Sequence, residues 1–485
     1  MGKLYDEELY AKISQWFDEH MDEMTEDIKR IVRFPSVSDH DAKPEEGPFG
    51  QGCRDCLDEM LAMGREYGFY TENKEYYVGR IGVENPDWKN TIGMWNHLDV
   101  VPVGVGWAHD PFDPYVKDGY LIGRGVSDNK GPAVAMLYMM RCLRDLQIPM
   151  KHELALFVGC DEEKGMQDME YYCSKYPTPG LSLIADCGFP VCYGEKGIFE
   201  GKSITGTLSE DIVEFYGGYA SNMIPDRAYL TLKKDLTAEK IEELKAAFGE
   251  AIEVNYEDGL LKLMAFGMSR HSAAPEGSTN AIHELAELVS KTDLLCESDR
   301  KYFEFISFAT SCVYGEWAGI TYEDEISGKL TCAGTVLRLE DNKASLLYNI
   351  RYSITADSDK IREGLAAASA KGGCDFVTIA DSKPNYFPRE RKVVDVLTDV
   401  FNDLTGLKTE PYVMGGGTYA RKIPNAVAYG LGGVPKREGA PVLVMEKGHG
   451  GAHEPDEMLD LQNQIDAMKV FTMAVLTLND YDLDI

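Results

Sequence analysis

The chain has 485 residues, more than one typical hydrophobic core accommodates, so we expect two or more domains. Its 44% hydrophobic and 27% charged residues are typical of a globular protein and exclude a disordered chain. The 81 acidic residues outnumber the 49 basic ones, and the net charge of −32 argues against nucleic acid or an anionic membrane surface as a partner, because both bind basic surfaces.

Cysteine usage and the distribution of apolar residues predict a cytoplasmic protein without a membrane span. Residues 1–31 lack the apolar core of a signal peptide, and no run of about 18 apolar residues is present. Eleven cysteines, an odd number scattered along the chain, favour free thiols in a reducing compartment. Cys53 and Cys56 have the spacing of half a zinc knuckle, but no second pair lies near them, so we interpret them as a helical surface or half-buried pair.

The first part of the chain alternates between helical and strand-like patterns. Apolar residues at helical spacing in residues 4–32 predict one long amphipathic helix or two in succession, and the same spacing recurs at 52–67 and 132–146. We expect Asn96 to end the strand at 91–95. The other strands predicted here are at residues 69–83, 154–158 and 182–185. This alternation predicts the α/β class, in which residues at strand ends meet at one edge of the sheet.

The pattern changes after residue 194. Residues 198–385 contain many alternating, strand-like runs with helices between them, which predicts an α+β insert. From Arg391 a helical pattern returns, and residues 442–444 have the pattern of a short buried strand. We therefore predict a discontinuous catalytic domain at residues 1–194 and 386–485, interrupted by an inserted domain at residues 195–385.

Side chains that can bind a metal follow several apolar strands that lie far apart in the sequence. His97 and Asp99 stand two residues apart after one of them, so on an extended backbone they project from the same side. The other candidate ligands are Asp128, the acidic pair Glu162 and Glu163, Asp186 and His453. Each has an ordinary interpretation when taken singly: Asp128 as a helix cap, the other acids as solvated turns and His453 as a loop histidine.

Taken together, these side chains are harder to explain without a metal. Two imidazoles and several carboxylates suit zinc, with cobalt or manganese as substitutes. Two metals about 3.5–4 Å apart and bridged by one carboxylate need about this many ligands. One carboxylate would remain to act as a base.

Short motifs along nearly the whole chain resemble one known family. The chain is similar to the di-zinc metallopeptidases that include aminoacylases, succinyl-diaminopimelate desuccinylases and carnosine-type dipeptidases, and within them to the bacterial PepV-type dipeptidases. The motifs are HLDVVP at 97–102, GRGVSDNKGP at 123–132, CDEEKG at 160–165, the strand end at Asp186, GGYASNMIP at 217–225, GMSRHSAAPEGSTNA at 267–281, YNIRY at 348–352, MGGGTYARKIPNAVAYG at 414–430 and GAHEPDE at 451–457.

The resemblance implies a fold, a cofactor and a ligand set. The fold is a zinc-peptidase-type α/β catalytic domain, with a central mixed sheet flanked by helices, and an inserted α+β lid domain. The cofactor is two zinc ions per chain. The implied ligands are His97 and Asp186 for one ion, Glu163 and His453 for the other, and Asp128 as the bridge.

The resemblance also implies catalytic and substrate-binding residues. Glu162 would be the general base that takes a proton from the metal-bridging water and returns it to the leaving amine. Asp99 would orient the ring of His97, and His271 in the lid would stabilise the oxyanion. The implied substrate-binding residues are Asn222 and Arg351 for the C-terminal carboxylate, with Arg421 and Gly416, in the turn 415–417, lining the same pocket. Arg351 could instead form an ordinary ion pair, and the glycines could form only a tight turn.

Three residues depart from the family pattern. Asn129 follows the bridging aspartate where a second acid is common, Asn96 replaces a more usual glycine, and Cys160 stands where a small hydroxyl residue is common. None of them removes a ligand, so we expect them to tune activity. In the family the peptide bond after the bridging aspartate is cis, which corresponds here to the bond between Asp128 and Asn129.

The leading hypothesis is a cytoplasmic two-zinc dipeptidase that acts on small dipeptides. The nearest alternative is a deacylase or desuccinylase of N-acyl amino acids, which uses the same chemistry with a different acyl group. A metal-bound but inactive binding protein and a purely structural α/β protein are the remaining alternatives. The insert is long enough for two α+β halves, so we predict a monomer in which His271 serves its own chain.

Overall fold

The computed structural model describes residues 5–484, so Leu4, at the start of the predicted first helix, lies outside the described residues. The helices are α1 (Glu7–Val32), α2 (Gln51–Glu66), α3 (Lys130–Asp145), α4 (Gln167–Lys175), α5 (Ala238–Phe248), α6 (Ala281–Ser290), α7 (Glu297–Thr310), α8 (Ser358–Lys371), α9 (Lys392–Thr405) and α10 (Leu461–Leu478). The strands are β1 (Tyr70–Lys74), β2 (Val78–Gly82), β3 (Thr91–His97), β4 (Tyr115–Lys117), β5 (Tyr120–Ile122), β6 (Glu153–Gly159), β7 (Leu181–Ile184), β8 (Cys187–Gly188), β9 (Cys192–Glu195), β10 (Gly197–Ile204), β11 (Ile212–Gly217), β12 (Arg227–Lys233), β13 (Ile252–Glu257), β14 (Leu260–Phe266), β15 (Glu323–Asp324), β16 (Gly328–Lys329), β17 (Thr331–Glu340), β18 (Lys343–Tyr352), β19 (Asp375–Ser382), β20 (Asn385–Tyr386), β21 (Tyr412–Met414), β22 (Ala426–Ala428), β23 (Leu431–Gly432) and β24 (Met458–Asp460).

The described residues divide into two compact units, each with its own hydrophobic core. Unit 1 comprises the described residues up to Tyr193, Phe387–Tyr412 and the residues from Gly417 onward, and unit 2 comprises Gly194–Tyr386 and Val413–Gly416.

The central sheet of unit 1 is mixed, with the order β1-β2-β6-β3-β7-β22-β9. β3 pairs in parallel with β6 and β7, and β22 pairs in parallel with β7, whereas β1 and β2 are antiparallel additions at one side. All seven residues of β3 are buried, as expected for a strand covered on both faces. The carboxyl ends of β3, β6 and β7 therefore lie at one edge of the sheet, where open α/β sheets carry their sites.

The first helix shows why this sequence folds locally as it does. Asp6 caps its N-terminus by accepting hydrogen bonds from the backbone N–H groups of Glu8 at 2.8 Å and Leu9 at 3.2 Å. One side of the helix is buried, as its apolar spacing predicts; the residues include Ile13, Phe17, Met24, Ile28 and Ile31. The segment predicted as one long helix or two is a single helix.

Unit 2 contains an eight-stranded sheet with the order β13-β14-β12-β11-β17-β18-β10-β19, in which every neighbouring pair is antiparallel. The helices α5, α6, α7 and α8 belong to the same unit. Apolar residues of the sheet and of these helices form one core. The α+β character predicted for the insert is confirmed, together with the α/β class of the first part.

Two local predictions were wrong. Asn96 does not end the strand before it, because β3 continues to His97 and the buried Asn96 amide donates a hydrogen bond to the carbonyl of Ala185 at 3.0 Å. Residues 442–444 form no strand: Val442 and Val444 are 69% and 84% exposed. Three apolar residues flanked by a proline and a charged segment have no neighbouring strand to pair with, so their hydrophobicity alone does not bury them.

All eleven cysteines are free, and Cys53 and Cys56 lie on a helix, α2, as predicted. Both are buried there, whereas a surface or half-buried pair was expected. Among residues 5–484, no helix is both long enough and apolar enough to cross a membrane.

Candidate metal centre

The candidate ligands lie at the edge of the sheet where the parallel strands of unit 1 end. His97 is the last residue of β3, and it pairs with Gly159 at the end of β6, just before the turn that carries Glu162 and Glu163. Asp186 follows the end of β7. Asp128 lies in the turn before α3, and His453 lies in the loop before β24. The residues predicted to follow strand ends therefore lie at the same edge of the central sheet of unit 1.

Four distances of 3.8 Å or less join the two imidazoles to the carboxylates of this group, and two of them end on Asp128. The Nε2 atom of His97 lies 2.9 Å from Asp128 Oδ1 and 3.8 Å from Asp186 Oδ2. The Nε2 atom of His453 lies 3.0 Å from Asp128 Oδ2 and 3.0 Å from Glu163 Oε1. Each oxygen of Asp128 therefore contacts a different imidazole, and each imidazole has a second carboxylate beside it.

These distances fit a transition metal. Two atoms bound to the same zinc ion lie at most about 4.2 Å apart, because each bond to a nitrogen or oxygen ligand is about 2.0–2.2 Å long. All four distances meet this condition, and imidazole nitrogens with carboxylate oxygens are a donor set that zinc accepts. Two groups of potential ligand atoms, each within 4.8 Å, are His97 with Glu162 and Asp186, and His97 with Asp128 and Glu163. The residue predicted as the base, Glu162, thus also lies at ligand distance.

Both histidines hold protons when the carboxylates around them are their only partners. Hydrogen bonds with Asp128 and Glu163 raise the pKa of His453 to about 10. Burial opposes a charge on His97, but hydrogen bonds with Asp128 and Asp99 raise the pKa of His97 well above its usual range. Burial likewise opposes the charge of Asp128, yet the two imidazoles lower the pKa of that carboxyl. A metal must therefore displace protons from both imidazoles in order to bind.

Glu162 lies close to His97 and Asp186, and its carboxyl interacts electrostatically with both. Burial raises the pKa of Glu162 well above its usual range; the charge of His97 opposes this shift, and the charge of Asp186 adds to it. Burial also raises the pKa of Glu163. A carboxyl group with a raised pKa holds a proton long enough to pass it on, which general acid–base catalysis requires. A bound cation would counter these shifts, since it favours the charged carboxylates.

The turn that carries the two glutamates is fixed by two buried aspartates. Asp99 Oδ1 accepts the backbone N–H of Glu162 at 3.1 Å, and Asp99 Oδ2 accepts that of Glu163 at 3.0 Å. Asp168 Oδ2 accepts the N–H groups of Cys160 at 2.8 Å and of Asp161 at 3.0 Å. The position of this turn therefore depends on two carboxylates, of which Asp99 also lies 3.5 Å from the imidazole of His97.

Asp99 contacts the ring of His97 in two ways. His97 Nδ1 lies 2.9 Å from the backbone carbonyl oxygen of Asp99 and 3.5 Å from its Oδ1 atom. An acceptor at Nδ1 fixes the ring orientation and leaves Nε2 for the metal. The predicted orienting role of Asp99 stays a prediction, and the contacts with the glutamate turn add a second connection between the residue and the site.

Glu457 is a residue of this centre that the sequence did not single out. Its buried carboxylate accepts hydrogen bonds from Arg124 Nη1, from the backbone N–H groups of Gly125 and Ser127 and from the Ser127 hydroxyl, each at 2.9 Å, and from the N–H of Asp128 at 3.1 Å. One carboxylate thus holds the loop that presents the candidate bridge. The available signal was its place in the motif that also contains His453.

The peptide bond between Asp128 and Asn129 is cis, which confirms the expectation from the family motif.

The predicted substrate-binding residues, together with His271, the residue predicted to stabilise the oxyanion, do not all belong to the same unit. Asn222, His271, Arg351 and Gly416 belong to unit 2, whereas Arg421 belongs to unit 1. Within unit 2, the segments of Asn222 and His271 are adjacent: Met223 and His271 form an antiparallel bridge. The N–H of Ser272 also donates to the carbonyl of Asn222 at 2.8 Å.

Arg351 is part of a hydrogen-bonded set in unit 2, which we name the Asn349 cluster: Ser272, Asn349, Arg351 and Gly415. Asn349 Oδ1 accepts hydrogen bonds from the Ser272 hydroxyl at 2.7 Å and from Arg351 Nε at 2.8 Å. Arg351 Nη1 donates to the carbonyl of Gly415 at 2.8 Å. Asn349 and Arg351 stand two apart on β18, so they share a face of the sheet. Sequence reasoning missed Asn349.

The glycines at 415 and 417 allow close approaches and are not explained by a turn alone. A Cβ atom at Gly415 would lie 2.6 Å from the Cβ of Ala273, within unit 2. A Cβ atom at Gly417 would lie 2.1 Å from Arg421 Nε, within unit 1. Any larger residue at either place would displace its neighbour.

The chain matches known proteins over most of its length. It is 30% identical over 475 residues to YtjP of Bacillus subtilis (strain 168), which is named provisionally as a dipeptidase, and the match covers 94% of this chain and 97% of the relative. A relative from Staphylococcus epidermidis with the same provisional name is 29% identical over 425 residues, covering 85% of this chain and 90% of the relative.

Solved structures with a similar fold are more distant in sequence. Human carnosine dipeptidase 1 aligns with a TM-score of 0.59 at 15% identity, over 98% of this chain and 99% of that one. Dug1p, a dipeptidase from Saccharomyces cerevisiae, aligns with a TM-score of 0.57 at 14% identity, over 97% and 99%. Identities this low show the fold alone.

A model of the peptidase family M20/M25/M40 matches residues 94–477. That range begins within β3 and includes every candidate ligand described above. The match confirms the resemblance drawn from the motifs. The chain belongs to peptidase family M20/M25/M40 and is a peptidase.

Proposed function

We propose that this protein is a dipeptidase that hydrolyses small dipeptides with two zinc ions, for which cobalt or manganese can substitute. The observation that carries the proposal is the placement of Asp128, whose two oxygens contact different imidazoles at 2.9 and 3.0 Å. A carboxylate that serves two metals needs this arrangement. The provisional name of YtjP as a dipeptidase supports the substrate class.

The ligands would divide between the two ions as the family motif implies. His97 and Asp186 would hold one ion, Glu163 and His453 would hold the other, and Asp128 would bridge them. A bound pair of zinc ions supplies Lewis acidity to the scissile carbonyl and lowers the pKa of a water molecule. All five side chains belong to unit 1, so this assignment needs no residue from unit 2.

Glu162 would be the general base. Its carboxylate would take a proton from the attacking water and deliver that proton to the nitrogen of the leaving amine. The two hydrogen bonds from the glutamate turn to Asp99 would keep the Glu162 carboxylate in position during both transfers.

A cavity of about 290 Å³ lies within unit 1 and is lined by Asp128, Asn129 and Asp186, among others. Glu162, Glu163 and His453 do not line this cavity, so it adjoins only part of the proposed centre.

The roles of the residues outside the ligand set are also part of this proposal. His271 would stabilise the oxyanion, Asn222 and Arg351 would bind the substrate carboxylate, and Gly416 and Arg421 would line its pocket. Residues 195–385 would form an inserted lid domain in a cytoplasmic monomer.

The direct test combines metal analysis with substrates that share one leaving group. The panel is Gly-Leu, N-acetylleucine, N-succinylleucine and Gly-Gly-Leu, each assayed with the metal-loaded protein. We expect close to two metals per chain, hydrolysis of Gly-Leu far above the other three, and loss of turnover on chelation with recovery on adding zinc, cobalt or manganese. Preference for an N-acyl leucine would instead establish the deacylase or desuccinylase, and one metal with full activity would contradict the two-metal site.

A further inference from the structure

Two asparagines that depart from the family motif form a buried pair next to a candidate ligand. Asn96 is 0% exposed and Asn129 is 1% exposed. Asn96 Nδ2 donates a hydrogen bond to Asn129 Oδ1. Asn129 Nδ2 in turn donates to Asp186 Oδ1 at 2.7 Å. The two departures are therefore parts of one chain of hydrogen bonds that ends on a carboxylate of the metal centre.

The hydrogen bonds of the pair account for every amide hydrogen. Each amide nitrogen carries two hydrogens. Asn96 uses one on Asn129 and the other on the carbonyl of Ala185 at 3.0 Å. Asn129 uses one on Asp186 and the other on the same Ala185 carbonyl, also at 3.0 Å. Because both nitrogens face acceptors, the orientation of both amides is determined.

An acid at position 129 would not fit these partners. An ionised carboxylate only accepts hydrogen bonds, yet Asn129 Nδ2 faces the Ala185 carbonyl and the Asp186 carboxylate. Leaving buried acceptors without donors is destabilising, and more so for charged groups. The amide at 129 is thus required by its surroundings, and the amide at 96 supplies the donor that its oxygen needs.

The two oxygens of Asp186 have different neighbours. The amide of Asn129 engages Oδ1, while Oδ2 lies 3.8 Å from Nε2 of His97. We propose that Asn96 and Asn129 are positioning residues that orient the Asp186 carboxylate toward the ion it shares with His97. The inference rests on the proposed role of Asp186 as a ligand.

Loss of a residue that orients a ligand lowers metal affinity about 10–100-fold. Asn129→Ala should lower the affinity for one of the two ions by about that factor. Asn129→Asp should lower it at least as much, because it places a second acceptor against Asp186. Asn96→Ala should have a smaller effect in the same direction, since Asn96 contacts Asp186 only through Asn129.

The experiment is a double-mutant cycle read by metal affinity. The wild type, both single alanine variants, the double variant and Asn129→Asp are stripped of metal and titrated with cobalt against a competing chelator, with the cobalt absorption spectrum recorded. The melting temperature of each metal-free protein measures folding separately. Thr472→Val, which removes a buried hydroxyl on α10, is the matched control; it should alter the melting temperature without altering cobalt affinity.

In the double variant we expect the affinity of Asn129→Ala alone, because Asn96 acts through Asn129. Unchanged cobalt affinity in both Asn129 variants, or losses that simply add in the double variant, would overturn the inference. Asp186→Asn separates this failure from that of the proposed function. If Asp186→Asn still binds two ions at wild-type affinity, then Asp186 is not a ligand and the proposed site itself fails. Should Asn129→Ala not fold, the near-isosteric Asn129→Asp and the milder Asn96→Ala decide the question.

Discussion

The candidate metal centre of unit 1 and the Asn349 cluster of unit 2 are two polar sites built in different ways. The candidate metal centre contains side chains that follow the ends of parallel strands, and it holds more carboxylates than cationic groups. The Asn349 cluster lies across antiparallel strands, and its charged member is Arg351, which donates a hydrogen bond to Asn349 at 2.8 Å. The Asn349 amide also donates to the carboxylate of Glu200 at 2.8 Å, so this cluster has one guanidinium and one neighbouring carboxylate. The candidate metal centre, in contrast, has an excess of carboxylates, which calls for cations.

The difference predicts that damage to the two sites has different consequences. Changes among the ligands of unit 1 should alter metal content, and changes in the Asn349 cluster should leave metal content unchanged while altering substrate binding.

The largest effect is expected for Glu162→Gln. The amide cannot accept the proton of the attacking water, so kcat should fall by about 10²–10⁴-fold. Metal content should stay at the wild-type value, because the proposed ligands remain. Steady-state kinetics and elemental analysis of the same sample measure both.

Glu163→Gln is the matched control for that experiment, because it makes the same change one residue later, at a proposed ligand. It should lose metal as well as activity. If Glu162→Gln also loses metal, then Glu162 is a ligand, as its distance from His97 and Asp186 permits.

The metal centre could be predicted further from the sequence than the Asn349 cluster could. Buried apolar runs at 154–158 and 182–185 became strands, and in parallel strands the following residues must meet at one edge. The interaction of Asn349 with Ser272 depends on the register of strands and on a loop, and no periodicity encodes either. Asn349 was missed for that reason.

Three other positions show where sequence patterns stop being informative. Asn96 was expected to end a strand because asparagine is unfavourable there, but its amide found buried acceptors. Val442 was expected in a strand because it is apolar, yet no strand pairs with it. Glu457 was not singled out because its partners are backbone N–H groups of a distant loop, which the identities of residues do not reveal.

The next effect in size concerns Glu457→Gln. Removing the charge leaves the buried guanidinium of Arg124, 0% exposed, without its carboxylate partner at 2.9 Å. Breaking a buried pair in this way costs about 3–5 kcal/mol in the free energy of unfolding. Urea denaturation of the metal-free protein measures this loss, and metal affinity should fall as the loop of Asp128 loosens.

A matched variant is Glu72→Gln, which breaks a pair with Arg80 in which the carboxylate is partly exposed. Its effect should be well under half as large. Equal losses for Glu72→Gln and Glu457→Gln would show that Glu457 has no special importance for the loop.

A smaller effect is expected for Arg351→Lys, which tests the other side of the comparison. Lysine keeps the charge but cannot reach Asn349 and Gly415 with one rigid group. A hydrogen bond to a charged group contributes about 1.5–3 kcal/mol, so KM for a dipeptide should rise by about 10–100-fold. Metal content should not change. Loss of metal in Arg351→Lys would contradict the division between the two sites.

The next prediction concerns pH and the metal-free protein. The pKa of His453 is raised from 6.5 to about 10 by Asp128 and Glu163. The stabilisation from the protonated imidazole is therefore complete below pH 6.5 and is lost as the pH rises through 10. Over this interval the melting temperature of the metal-free protein should fall, and zinc affinity should rise because fewer protons compete for the imidazole.

His453→Gln should flatten both of these pH dependences, and scanning calorimetry with zinc titrations from pH 6.5 to 10 measures them. Arg351→Lys serves as the control and should keep the wild-type profile. A wild-type melting temperature that is constant over this range would show that the imidazole does not pair with the two carboxylates.

The last prediction is that complementation restores no activity at all. It concerns the proposal that the chain is a monomer whose His271 serves its own metal centre. His271→Ala and Glu162→Gln, each inactive, are co-expressed so that any dimers form mixed pairs, and pairs are purified through a different tag on each chain. If His271 acted on a partner chain, a mixed dimer would combine an intact histidine with an intact base, and up to one site per pair would turn over. If it acts within its own chain, every site lacks one of the two groups and activity stays at the level of the single variants.

Co-expression of Glu162→Gln with Glu163→Gln gives the background activity, because these two residues belong to the same unit. Light scattering should report a mass near 54.0 kDa for the wild type, and tandem purification should recover no mixed pairs. Recovered turnover in mixed pairs would end the monomer proposal and leave the two-metal site intact.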